Sequence, residues 1–127
     1  MDGVYKINTY RDLVAWQKGM DLVTEVYKVI AKLPDIEKFA LADQIRRAVT
    51  SIPLNIAEGF GRRSSGKEFA HFIAIAQGSR CEVETQLLIA VRVGYVIQED
   101  ISKAMSLSEE VGKMLTVLKR KALAGVE

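Results

Sequence analysis

The 127-residue sequence predicts an all-α fold, an antiparallel up-and-down four-helix bundle. Three observations point to it. Apolar residues recur at three- and four-residue spacing through four long segments, no stretch shows the two-residue alternation of a strand, and the connections are short. The length suits a single domain, 1–127, with a sizeable core. Helices are expected at roughly 10–33, 37–59, 65–94 and 100–123.

In the first segment Leu13, Trp16, Met20, Val23, Tyr27 and Ile30 form one stripe, and Leu22, Val26, Val29 and Leu33 form a second. At about 100° per residue the stripes merge into an arc of roughly 200°, wider than the stripe that faces one core. Thr9 suits an N-cap, with Asp12 three residues on, and Pro34 ends the helix because the residue before a proline avoids helical dihedrals. Trp16 reads either as core or, with Met20, as a subunit interface, where indole rings are favoured.

The second segment places Leu41, Ile45, Ala48, Ile52 and Ile56 on one side and is interrupted by Pro53. Proline removes the amide that would bond the Val49 carbonyl, and Thr50 and Ser51 are at hand to satisfy backbone groups, so a kinked continuous helix is expected. Gly59 and Gly61 would terminate it. In the third, Ser64 or Ser65 is the N-cap, and Ser65 with Glu68 has capping-box spacing. Phe69, Phe72, Ile73, Ala76, Val83 and Leu87 follow on one face, and Gly94 is the stop. The fourth starts near Asp100 or Ser102 and turns Ile101, Met105, Leu107, Val111, Met114, Leu115 and Leu118 inward.

Between the second and third segments, Gly61-Arg62-Arg63-Ser64-Ser65-Gly66-Lys67 has the spacing of a phosphate-cradling loop. Its context is wrong for one. Such a loop follows a strand and ends in a magnesium-binding hydroxyl, whereas a helix precedes this one and Glu68 occupies the hydroxyl position. What survives is a cluster of Arg62, Arg63 and Lys67 at a helix N-terminus.

Polar residues interrupt the apolar faces of the middle helices: Arg46, Arg47, Ser51, Asn55 and Glu58 on the second, and Arg80, Glu82, Glu84 and Gln86 on the third. Facing seams would pair Arg46 or Arg47 with Glu82 or Glu84 and so fix register. A catalytic or metal reading of the same carboxylates would need two Glu-x-x-His motifs, and only Glu68 to His71 exists. No catalytic residue, metal or cofactor is expected. Cys81 is the single cysteine, reads as a small core residue and fits a reducing compartment.

The formal charge of +2 gives no polyanion signal by itself. Its distribution does, because the end of the fourth helix and the turn between the second and third share one end of an up-and-down bundle. Lys119, Arg120 and Lys121 thereby join Arg62, Arg63 and Lys67 in a rim that an oligomer would repeat, suited to RNA or DNA backbone. MDGVYKINTYRD lacks the basic start and apolar run of a signal peptide, and no run of about 18 apolar residues spans a bilayer. A soluble, cytoplasmic protein without membrane contact or small-molecule substrate is expected.

The runs DLVAWQKGMDLVTEVYK, QIRRAVTSIPLNIAEGFGR and KEFAHFIAIAQGSRCEVETQLLIAVRVGY resemble the small bacterial four-helix bundle proteins named after an open reading frame in the intervening sequence of 23S ribosomal RNA genes. The specific part is I-R-R-A-x-x-S-I-P-x-N-I-A-E-G, carried by Ile45 to Gly59. The resemblance implies a helical bundle, commonly a ring of five subunits, with no established enzymatic activity. It also implies likeness in fold to the accessory variability proteins of diversity-generating retroelements, basic pentamers that associate with nucleic acid and reverse transcriptase. Where the family often has alanine before Met20, this chain has Gly19. The expectation is therefore a non-enzymatic homo-oligomer, a pentamer, that binds nucleic-acid backbone through the basic rim; the alternative is a protein-interaction adaptor without nucleic acid.

Overall fold

A computed structural model describes residues 7–125, so the expected domain 1–127 and the stretch read for a signal peptide extend beyond the described residues. Four α-helices follow in order: α1 (Val14–Ile30), α2 (Leu41–Gly61), α3 (Gly66–Arg92) and α4 (Gln98–Leu123). Each packs on its sequence neighbours and α1 closes the ring against α4, while the diagonal pairs make no close backbone contact among the described residues. This is the expected up-and-down bundle.

The helix ends follow local chemistry. Thr9 caps as predicted, accepting the Arg11 amide while the Asp12 carboxylate accepts the Thr9 amide at 3.0 Å, but the turn they nucleate is a short 3₁₀ helix, Tyr10–Asp12. Leu13 is extended, and α1 starts only after it. The second helix begins at Leu41 and not at Glu37. Glu37 lies in a 3₁₀ turn and its Oε1 accepts the Leu41 amide at 3.2 Å, capping α2 from outside. Ser65 caps α3 by accepting the Glu68 amide, and Gly94, at φ +87°, ends the following turn in the left-handed region.

The core is built from one stripe per helix. On α1 it comprises Leu22, Val26 and Val29 together with Ala15 and Gly19, whereas the stripe of Trp16, Val23 and Ile30 flanks it and Met20 and Tyr27 are exposed. Gly19 faces α2, where an added Cβ would meet Ile52 and Pro53 at 3.7 Å, ordinary contact distance. Helix α2 runs unbroken through the buried Pro53. Thr50 donates back to the Arg46 carbonyl at 2.9 Å, as a helical threonine does. Gly59 does not end α2. It is buried within the helix, where a Cβ would come 2.9 Å from that of Phe72, so its function is close packing against α3.

Candidate nucleic-acid interface

Gly66, the first residue of α3, lies directly on the end of α4, where a Cβ would collide with the Ala122 carbonyl oxygen. The α2–α3 turn and the last turn of α4 therefore share one end of the bundle. Lys67, Lys119, Arg120 and Lys121 are exposed there, and none has a carboxylate partner among the described residues.

The two arginines of the turn are engaged differently from the lysines. Arg62 bonds Glu58 at 2.7 Å and Glu68 at 3.1 Å, and its guanidinium carbon sits 5.2 Å from the Phe72 ring centroid. The Glu58 bond, then the Glu68 bond, raises its pKa above the ordinary arginine value. Two carboxylates surround this one cation, so its field is cancelled locally. Arg63 stacks on Phe60 at 3.9 Å and donates to the Phe60 carbonyl at 2.9 Å, which makes it a clasp on the end of α2. The sequence marked Arg62 and Arg63 as equals of the lysines because it shows charge and not pairing.

Beside the exposed cations runs a cleft of about 570 Å³ between α3 and α4, lined by Ala74, Gln77, Thr116, Lys119, Arg120 and Leu123. Two cations and no carboxylate line it. Gln77 is fixed there by donating to the Gly112 carbonyl at 2.9 Å and to Thr116 at 3.2 Å.

Of the polar residues expected to form a seam, Ser51 and Asn55 meet α3 and the charged ones have other partners. Arg46 and Arg47 pair with Asp43 on their own helix, at 3.2 and 3.1 Å, and not with Glu82 or Glu84. A carboxylate one turn away on the same helix is reached without ordering a second element. Across α2 and α3 the link is neutral: Ser51 and Ser79 are hydrogen-bonded at 2.8 Å, and Asn55 donates to the Ser51 carbonyl and hydroxyl, each at 2.8 Å. Glu82 is exposed beside Arg47 in a cleft of about 310 Å³. Glu84 faces α4, where it accepts from Arg80 and Ser108, both at 2.6 Å. Two residues apart on a helix means about 200°, so Glu82 and Glu84 cannot share a face. Glu58 belongs to the Arg62 cluster.

Cys81 is exposed on α3, a correction to its reading as core. Trp16 is half-buried, with its ring edge-on to Tyr10 at 5.3 Å, and together with the exposed Met20 it lines an apolar groove between α1 and α2. Among the described residues no cluster of three or more His, Cys, Asp or Glu could hold a metal ion, and no helix is long and apolar enough to cross a membrane.

A crystal structure of a protein of unknown function from the S23 ribosomal protein family of Bacteroides thetaiotaomicron has the same architecture, with a TM-score of 0.75 and 26% identity over 84% of this chain and 96% of that one. No curated protein matches the chain. The family model described as 23S rRNA-intervening sequence protein matches residues 11–117, a span that runs from the turn before α1 well into α4 and contains the whole Ser51–Asn55 seam. On that match and the shared bundle, the chain belongs to the 23S rRNA-intervening sequence protein family.

Proposed function

We propose that the protein is a non-enzymatic homo-oligomer, a pentamer as its resemblance implies, that binds the phosphate backbone of RNA or DNA through the basic end of the bundle. The observation that carries the reading is the juxtaposition of Lys67 with Lys119, Arg120 and Lys121, all exposed and without carboxylate partners among the described residues. Repeated around a ring, four such charges per subunit give the field that attracts a polyanion and releases its counterions. Arg62 and Arg63 contribute by holding the turn in place. The Gln77 and Thr116 cleft continues the cationic surface along α4.

The test is binding of a labelled RNA at several salt concentrations. Affinity should fall linearly on a log–log plot, and reversing Lys119, Arg120 and Lys121 to glutamate should flatten the slope, by about 0.7 to 0.9 for each phosphate no longer neutralised. Reversing Arg62 should change the slope less and stability more. Affinity that is independent of salt would sink the proposal.

A second reading, the protein-interaction adaptor, draws on one specific feature. Ile36 and Phe39, at the turn between α1 and α2, are 84% and 87% exposed, the largest values among the bulky apolar residues described. A partner that survives nuclease treatment and is lost on changing Phe39 to serine would favour it.

A further inference from the structure

The apolar arc of α1 leaves a second groove, on the side away from Trp16, between the start of α1 and the last turns of α4. Its volume is about 440 Å³, within the range of small-molecule sites, and its walls are Leu13, Val14, Met114, Val117 and Leu118. Val14 is 52% exposed and Val117 39%, so the walls are open to solvent in the isolated chain. Lys113 and Lys121 stand at its edges, eight residues and about 12 Å apart along α4. Lys113 is shared with Glu109 at 3.6 Å, whereas Lys121 has no carboxylate partner among the described residues. The groove's own carboxylate, Asp12, already accepts the amides of Asn8 and Thr9 at 2.9 and 3.0 Å.

An apolar trough ending in an ammonium group that has no carboxylate partner among the described residues is complementary to an alkyl chain with an anionic head. We propose that the α1–α4 groove binds a medium-chain carboxylate, its chain against Val14, Met114, Val117 and Leu118 and its head on Lys121. The site lies between two helices and is open to solvent on one side, with a volume that accommodates a single amphiphile. No small-molecule ligand is expected from the sequence; the groove binds without nucleic acid, although Lys121 belongs to both the groove and the basic rim.

The test is titration of the full chain with dodecanoate below its micelle-forming concentration, followed by calorimetry and by amide chemical shifts. Saturable binding is expected, with shifts confined to α1 and α4. Decanoate, two methylenes shorter, should bind about 15-fold more weakly if the chain is buried. Lys121→Glu should weaken dodecanoate binding at least tenfold, and Val117→Asp, checked for folding by circular dichroism, should abolish it. Arg120→Glu, outside the groove, should leave it unchanged. The proposal falls if dodecyltrimethylammonium binds equally well, if only anionic vesicles are bound, or if chain length has no effect. It also falls if Val117→Asp lowers the oligomeric mass, because the groove is then a contact between copies.

Discussion

The Arg80 guanidinium lies against Gly112 of α4, so close that a Cβ at residue 112 would stand 2.6 Å from its central carbon. Glycine there lets a half-buried cation cross to the neighbouring helix. Arg80 bonds Gln77 at 2.9 Å and Glu84 at 2.6 Å; Glu84 accepts from the buried Ser108, and Gln77 reaches the Gly112 carbonyl. Gly112→Ala raises helix propensity by about 1 kcal/mol but displaces a charged hydrogen bond of roughly 1.5–3 kcal/mol. The net expectation is destabilisation of about 1 kcal/mol in urea unfolding. In an Arg80→Ala background the same change should become stabilising, and a cycle without that reversal of sign would contradict a role for Gly112 in admitting the guanidinium.

Gly19 is the opposite case. It is buried against Ile52 and Pro53, yet an added Cβ would meet them at 3.7 Å, ordinary contact distance. No positive φ requires glycine at this position. Gly19→Ala should therefore raise stability by up to about 1 kcal/mol, through helix propensity and lower freedom in the unfolded chain. A lower urea midpoint for this variant would show that α1 and α2 are packed more tightly here than these distances indicate.

These glycines show what the sequence could and could not disclose. Helical period, Ser65 and Gly94 were legible because each acts through its own local backbone, whereas α1 already ends at Ile30, ahead of the stop expected at Pro34. The role of Gly59 was not, since a glycine near a helix end has the same appearance whether it stops the helix or admits a neighbour, and only the position of Phe72 decides. The seam residues were legible as a set, but their partners depended on which face each helix turned inward. On α1 two stripes competed, and the small Ala15 and Gly19 extended the second of them into the core. At the basic end, the charges were readable and the neutralisation of Arg62 by Glu58 and Glu68 was not.

At the end opposite the basic rim, two contacts fasten the α1–α2 connection to the start of α4 and the turn before it, and both titrate. The Tyr95 hydroxyl donates to Glu37 at 2.7 Å, and this bond, with the Leu41 amide second, holds the Glu37 carboxyl below its usual range. Lys32, at 2.6 Å, and then the Ile97 amide do the same for Asp100. Folded values below unfolded ones mean that the unfolded chain binds more protons, so this stability is whole above the ordinary carboxylate pKa of about 4 and declines as pH falls through the lowered folded values. The Tyr95 phenol is raised, first by Glu37, so its contribution is whole below about pH 10 and declines as pH rises further. Tyr95→Phe should remove the Tyr95 part of the alkaline decline and reduce the acid one, leaving the parts due to Asp100, to Glu25 and to the Leu41 amide on Glu37. Urea midpoints across pH measure both limbs, and an acid limb unaltered in the variant would exclude Glu37 as its source.

Assembly has a candidate surface on the α1–α2 side of the bundle. Met20 is 42% exposed and Leu54 66%, and they line one apolar groove of about 340 Å³ with Trp16, Val23 and Pro53. Left in water, such a surface forfeits about 25 cal/mol per Å², and a stable contact covers roughly 800 Å² per partner, so this groove can supply only its centre. Trp16 is a poor probe of that contact, since it also packs on the monomer core and on Tyr10. Met20→Glu and Leu54→Glu place a charge in the groove while leaving buried side chains untouched. If the groove is a subunit contact, light scattering should show the mass falling from a multiple of 14.1 kDa toward 14.1 kDa, with the helical circular dichroism unchanged. Under the proposed function, loss of assembly should also weaken RNA binding without altering the cations of any single subunit, because the polyanion then meets one patch in place of several. A double variant that keeps its full mass would move the interface elsewhere, and a monomeric variant with undiminished RNA affinity would separate binding from assembly.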